Sequence, residues 1–347
     1  MLTPKQRGYF FPPEWHPHVA TWLSFPKNID TWEDRLDRIY SSYFKFIETL
    51  SLGEKVRINA HDEDLIMFIK QKMDFYEMSS DNIELFPFKT NDSWCRDHGP
   101  AFLINKNNKS KIIVNWEYNA WGGKYPPFDD DNYVPLNIAK NFELEVISPK
   151  IIMEGGSVEF NGAGTVLTSK SCLLNKNRNP HLNQSQIEQY LLDYYGMDQV
   201  LWVEDGIVGD DTDGHIDDTT RFVNSDTVLT MVEVNKNDEN HGILAENLKL
   251  LKQMRLLNGK QLNIIELEMP DPVIDNGTRL PASYANFCIS NKHIIVPTYR
   301  SKNDDKALQI IQDCFKDRQV IGIDSTEIIW GLGSFHCLSQ QEPDINI

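Results

Sequence analysis

Two hydrophobic rhythms alternate along the chain. Short apolar runs recur as KVRINA, IELFPF, KIIVNW, ELEVIS, TVLTSKSCLL, QVLWVE, DTVLTMVEV, QLNIIELEM, HIIVPTY and QVIGID. Their length and β-branched content predict strands. Between them, EDRLDRIYSSYFKFIETL, EDLIMFIKQKM, NQSQIEQYLLDYYG, HGILAENLKLLKQM and DDKALQIIQDCFK space their apolar residues three and four apart. That spacing covers one face of a helix, and the last segment makes Cys314 a core residue. Near the end, STEIIWG reads as a strand running into a glycine bend, with the chain around Cys337 still extended. Neighbours on an extended chain point to opposite faces. If Cys337 faces a cleft, His336 is therefore expected to face away. No Ser/Gly-rich linker or charge block interrupts the alternation, so residues 1–347 are expected to form one α/β domain.

Polar clusters punctuate this pattern at regular intervals. Asp97 in SWCRDHGP, Glu154 in MEGGSVEF, His215 in DTDGHIDD and Cys337 in GLGSFHCLSQQEP are separated by 57, 61 and 122 residues, the last being twice 61. A further cluster, IDNGTRLPASYANF, begins near Asp275, sixty residues past His215. Such spacing predicts a repeated supersecondary unit, each copy lending one loop to a shared face. Five units of about 65–70 residues would fill the chain.

Composition narrows the class. With 347 residues and 40% hydrophobic content the chain can bury a large core. No apolar run approaches the ~20 residues that span a bilayer, and MLTPKQRGYFFPPEWHP lacks the layout of a secretory signal. A cytoplasmic protein without a membrane partner is expected. The five cysteines are odd in number, scattered, and form no CxxC pair, which argues against a disulfide framework or a zinc knuckle. A net charge of −17 repels nucleic acid and favours a small cationic partner. A homo-oligomer is compatible with everything in the sequence.

GDDTDGHIDD, at 209–218, packs five aspartates and a histidine into ten residues, which invites a divalent-metal reading. It lacks the spacing of a calcium loop, and no HExxH or second histidine cluster supports it. His16 and His18, a candidate helper, stand in a loop where paired histidines are more often structural. An alternative needs no metal. On an extended segment His215 and Asp217 share a face, with Asp211 and Asp213 as candidates to join them. A general acid/base then lies beside a carboxylate able to hold a cation. Trp94 and Asp97 offer an aromatic face and a second carboxylate at a Gly-Pro bend, and a cation over tryptophan gains ~0.5–2 kcal/mol. Glu154 precedes two glycines, which end a strand or admit a close approach to the backbone. A cysteine nucleophile, a histidine and several carboxylates together suit attack on a guanidinium carbon. Carboxylates pair with the planar cation, its charge stabilises an adjacent thiolate, and one histidine serves departing ammonia and then attacking water.

PPEWHPHVATWLSFP, SWCRDHGP, NWEYNAWGGKYPPFDDD, MEGGSVEFNGAGTVLTS, DTDGHIDD, LPASYANF and GLGSFHCLSQQEP, in this order, resemble the agmatine deiminase family. That family is related to the Porphyromonas-type peptidylarginine deiminases of the guanidine-modifying superfamily. The resemblance runs from about Pro12 to Pro343. It implies a five-bladed, pseudo-fivefold α/β propeller of the pentein type with the site in its central cavity. It also implies hydrolysis of agmatine to N-carbamoylputrescine and ammonia without metal or organic cofactor. Carried over by position, Cys337 is the nucleophile and His215 the acid/base. Asp97 and Asp217 grip the guanidinium, Glu154 orients His215 and touches the same cation, Trp94 packs beside the substrate, and Asp211 lies near its distal amine.

The chain departs from the family pattern at LGSF before His336, where more glycine is usual, and at YRSKNDD, which brings Arg300 near a loop. Both bear on the cavity mouth. Three other readings stand beside the first: a deiminase of free or peptidyl arginine giving citrulline, a metal-dependent hydrolase built on the aspartate loop, and a non-catalytic guanidine or polyamine binder. An arginine-type substrate would require a cation for its carboxylate. Arg96 is expected to point away from Asp97, which leaves Arg300 as the candidate.

Overall fold

The computed structural model describes residues 2–346. Its principal sheets repeat one plan: a short strand runs antiparallel to a central strand, and a third strand, reached through a helix, lies parallel to the centre on its other side. Ala101–Asn105, Ser110–Val114 and Glu145–Ile147 form one such sheet, and Val158–Phe160, Thr165–Ser169 and Gln199–Val203 the next. Thr220–Phe222, Thr227–Val232 and Asn263–Glu268 follow, then Cys288–Ile289, His293–Thr298 and Gln319–Asp324. The fifth sheet takes its antiparallel strand from the far end of the sequence. Ser339–Pro343 pairs with His18–Ser24, setting Trp22 opposite Gln340, and Lys55–Asn59 and Ile83–Phe86 continue that sheet in parallel.

The crossover helices obey the sequence pattern. Leu36–Ser51, Gln184–Tyr195, Asn240–Gln253 and Asp304–Cys314 each bury one apolar face against their sheet. Gln184–Tyr195 begins with a capping box between Asn183 and Gln186 and ends at Gly196 in the left-handed conformation that glycine adopts most readily. A fifth crossover helix, Asp129–Asn141, was not predicted, because Pro135 interrupts the pattern from within it. Glu63–Phe75 is an additional helix, capped by Asp62.

Four expectations need correction. His215 and Asp217 do not lie on an extended segment, because Ile216–Asp218 coils into a 3-10 turn that starts at His215. TVLTSKSCLL is a strand only to Ser169, and Lys170–Leu173 turns into a short helix. STEIIWG is not a strand: the Asp324 side chain accepts the Thr326 N–H, and Ile328–Gly331 coils into a 3-10 turn. The chain at Cys337 is not extended either. Leu338 N–H bonds back to Ser334 and Ser339 N–H to His336, making a tight turn from which the strand Ser339–Pro343 departs.

Cys95, Cys172, Cys288 and Cys337 are buried and Cys314 partly so, and none of the five is disulfide-bonded. Among the described residues no helix is long and apolar enough to cross a membrane.

Candidate active site

The repeated plan explains how distant residues meet. Asp97 and Glu154 each stand four residues before the first strand of their sheet, at Ala101 and Val158. His215 and Asp217 stand just before Thr220, and Cys337 just before Ser339. Each sheet thus delivers the loop that enters its first strand to one common point. The fourth sheet follows the rule with Asn286, ahead of Cys288. Asp275, where regular spacing set the fourth cluster, instead lies in a hairpin with Thr278–Arg279 at the cavity mouth.

The loops converge at the floor of a cavity of about 310 Å³, to which Trp94, Asp97, Asp211 and Cys337 contribute. His215, Glu154 and Asp217 lie immediately beneath, fully buried. The Cys337 thiol sits 3.6 Å from Asp217 Oδ2. His215 Nδ1 lies 3.8 Å from Asp97 Oδ1 and 4.0 Å from Asp217 Oδ1. Gly156 permits this crowding: a Cβ there would come within 2.5 Å of His215 Nδ1 and 2.9 Å of Asp97 Oδ1, and its own N–H donates to Asp97 at 2.9 Å. Gly333 serves Trp94 in the same way, since a Cβ would stand 2.5 Å from the indole and 3.0 Å from the Cys337 Cβ.

Several contacts were not legible in the sequence. Trp121 Nε1–H donates to Asp97 Oδ2 at 2.9 Å, and Trp32 stacks on Trp94 with ring centres 5.6 Å apart. Arg178, buried, donates from Nε to Glu154 Oε1 and from Nη1 to Asp213 Oδ2, both at 2.6 Å. Asp213 therefore serves Arg178 and Lys124 rather than His215. Asp211 lines the cavity as expected but is already engaged, by Lys124 at 3.2 Å and by the Tyr125 hydroxyl.

His336 does point away from the cavity, toward Glu14 in a separate cavity of about 30 Å³. It is nevertheless no bystander, because its Nδ1 meets Asp217 Oδ2 at 2.6 Å. Arg96 also faces the small cavity, where it bonds Gln341. Arg300 does not reach the site: it is exposed and paired with Asp324 at 2.8 Å. Leu332, in the LGSF departure, lines the cavity in a left-handed conformation with φ of 70°. His16 and His18 are remote from this centre, bonding Asp344 and the Glu14–Glu54 region respectively.

Concentrated burial sets the electrostatics. Burial, then the carboxylates of Asp217, Asp218 and Asp97, push the Cys337 thiol well above its usual range. Burial, with Asp217 and Glu154, also pushes the Asp97 carboxyl up. Burial and the nearby Asp217 and Asp210 hold Asp218 well above the ordinary carboxylate range. For His215 burial works the other way, but Asp97, the Cys172 thiol and Asp217 outweigh it and keep the imidazole well above its usual value. Asp217 stays below its usual value despite burial, through the bond and charge of His336. Among the described residues two trios have ligand atoms within 4.8 Å of one another, Glu154–Cys172–His215 and Asp217–Asp218–Cys337. In the first, the Arg178 guanidinium already supplies Glu154 with a positive charge. Among the described residues, Nδ1 and Nε2 of His215, with Glu154 Oε2 and Asp217 Oδ1, are buried and make no hydrogen bond to the protein. Buried polar groups of this kind can bond a ligand rich in donors and acceptors.

The family model for Porphyromonas-type peptidyl-arginine deiminase matches residues 10–343. A Legionella pneumophila (strain Paris) protein, provisionally named an agmatine deiminase, is 38% identical over 98% of this chain and 97% of its own length. The structure of Enterococcus faecalis agmatine deiminase superposes with a TM-score of 0.92 at 30% identity, covering 99% of this chain and 98% of that one. A cysteine-to-serine variant of C. jejuni agmatine deiminase with substrate bound gives 0.87 at 33% identity over 96% of each chain. At 13% identity an amidinotransferase from Microseira wollei, with a TM-score of 0.52 over 96% of each chain, shares the fold alone, an α/β fold of the pentein type. The chain belongs to the Porphyromonas-type peptidyl-arginine deiminase family.

Proposed function

We propose that this chain is an agmatine deiminase. Residues 1–347 act as one unit, and the five sheets stand as blades of a pseudo-fivefold α/β propeller around the cavity. The delivery of one site loop by each sheet supports that arrangement. In the reaction, Asp97, Asp217 and Glu154 hold the guanidinium. The Cys337 thiolate, its proton already on His215, attacks the guanidinium carbon, and the C–N bond to one terminal nitrogen breaks as His215 passes that proton to the nitrogen. Ammonia leaves, and a thiouronium remains on Cys337. Water then loses one proton to His215 and attacks the same carbon, and the C–S bond breaks to restore the thiolate. The hydroxyl proton passes to the departed ammonia, and N-carbamoylputrescine is released. The sum is agmatine plus water giving N-carbamoylputrescine plus ammonia.

One observation carries the choice of substrate: among the described residues the cavity lining contains Asp30, Asp92, Asp97, Asp211 and Asp275 but no arginine, lysine or histidine. The cations at its edge are already engaged, Arg35 by Asp275 and Lys124 by Asp211, so a ligand cationic at both ends is favoured over one carrying the carboxylate of arginine. Burying it unpaired costs several kcal/mol. Ammonia release from agmatine, arginine and a blocked arginine peptide tests the reading. Agmatine should exceed arginine in kcat/KM by on the order of 10³. Comparable efficiencies would sink the assignment to agmatine. Trp94 supplies the flat apolar wall, and Asp211 takes the distal ammonium in competition with Lys124.

A further inference from the structure

The sequence cluster LPASYANF has no part in the reaction as described, yet its asparagine holds the nucleophile on two sides. Asn286 is 1% exposed. Its Oδ1 accepts the backbone N–H of Ser334 at 3.1 Å and of Cys337 at 3.2 Å. Its Nδ2 donates to Cys337 Sγ at 3.0 Å and to Asp218 Oδ1 at 2.9 Å. Its backbone carbonyl takes the His336 N–H at 3.1 Å. These partners settle the amide's orientation, for a flipped side chain would set its NH2 against two N–H groups and its oxygen against a carboxylate and the sulfur. Among the described residues the sulfur has two side-chain hydrogen-bond partners, Asp217 and Asn286, with Asp218 farther off but within 4.8 Å. Asp217 can accept a proton from the thiol but repels a thiolate. Of the two partners, Asn286 is the one that can donate to it.

We propose that Asn286 is a catalytic residue, the hydrogen-bond donor that stabilises the Cys337 thiolate and aims it at the guanidinium carbon. The inference rests on the reading of Cys337 as nucleophile. Asn286 also fills the one vacancy in the pattern of the fold, as the fourth sheet's counterpart to Asp97, Glu154, His215 and Cys337. The charge balance points the same way. Burial and three carboxylates push the thiol up, while the Asn286 bond pulls it down. A donor whose position is already determined by two backbone N–H groups pays no reorganisation when the sulfur becomes charged.

The test is the pH dependence of Cys337 alkylation by iodoacetamide, followed by mass spectrometry alongside agmatine turnover. Asn286→Asp keeps the acceptor for the backbone and loses the donor, and Asn286→Ala loses the donor without adding charge. Both variants should move the alkylation midpoint up by at least about one pH unit. They should also lower kcat by about 10²-fold while changing KM by less than about threefold. A purely structural role would lower the amount of folded enzyme and leave the midpoint in place. An unchanged midpoint in either folded variant overturns the proposal, including the case in which only Asn286→Asp shifts, since that would report the added charge. Alkylation of wild-type Cys337 that spared turnover would instead remove Cys337 as nucleophile, and the proposal with it.

Discussion

His336 and Asp217 meet at 2.6 Å, at the same carboxylate oxygen that lies 3.6 Å from the Cys337 thiol. Asp217 is thus held through one oxygen while the other, without a hydrogen-bond partner among the described residues, remains for the ligand. His336→Ala should release this hold and let the Asp217 carboxyl rise toward its ordinary value. Ligand binding requires the charged form, so the acid limb of kcat/KM should move to higher pH. The sign for stability is the same: a lowered carboxyl contributes above its unfolded pKa of about 3.9 and loses that contribution as pH falls. We expect about 10-fold loss in kcat/KM for His336→Ala, mostly in KM, against at least 10²-fold in kcat for His215→Ala. A pH-rate profile for each variant checks both the ranking and the direction.

The thiol of Cys337 should respond to the charge of its reagent. Carboxylates push it up, and a bound cation offsets them. A haloacetamidine, carrying the amidinium, should therefore alkylate Cys337 at neutral pH before the other four cysteines, with protection by agmatine. Neutral iodoacetamide should require higher pH. Cys337→Ala should abolish turnover and leave circular dichroism unchanged. Preferential labelling of Cys95 or Cys314 would contradict this.

Asp218 is a buried carboxyl held up by burial, Asp217 and Asp210, which the nearby His215 offsets only in part. Asp218→Asn should stabilise the fold by about 1–3 kcal/mol at pH 8. A raised carboxyl binds its proton more tightly in the folded state, so its penalty grows as pH rises from the unfolded value. The gain should accordingly vanish below about pH 4, where both states are protonated. Urea denaturation at the two pH values measures it.

Lys124 and the substrate's ammonium share Asp211. Asp211→Asn should raise KM for agmatine by about tenfold and narrow the gap to arginine, while Lys124→Met should lower KM by about two- to threefold. Steady-state kinetics on agmatine and arginine separates these effects from any change in kcat.

The central strands of four sheets were legible as β-branched runs such as HIIVPTY, buried almost throughout. Third strands such as QVIGID kept that content at a half-exposed edge, but the fifth sheet's central strand, His18–Ser24, was missed. The first strands were not legible. Val158–Phe160 and Thr220–Phe222 are three residues long and carry Glu159 and Arg221, which look like surface residues but pair with each other at 3.0 Å in the interior. Asp97, Glu154, His215, Asp217 and Cys337 could be singled out because carboxylates, histidine and cysteine announce their chemistry wherever they stand. Asn286, Arg178 and Trp121 do not, since each acts through a partner far away in sequence. Regular spacing pointed to Asp275 for the fourth cluster because helices and hairpins lengthen the repeats unequally, and what recurs is position relative to a strand. Leu332 is likewise invisible as strain until its φ of 70° is known.

The strand Ser339–Pro343 begins two residues after Cys337 and lies against His18–Ser24, among the first strands of the sequence. The order of synthesis therefore becomes an order of activation. Asp97, Glu154 and His215 emerge first and can fold with their own sheets, but the sulfur reaches them only when a late segment finds an early one. Such distant pairings are slow to form. A ribosome-bound chain lacking this strand has no means of holding Cys337 beside Asp97 and Asp217, so chemical competence arrives in a single closing event, the pairing of these two strands.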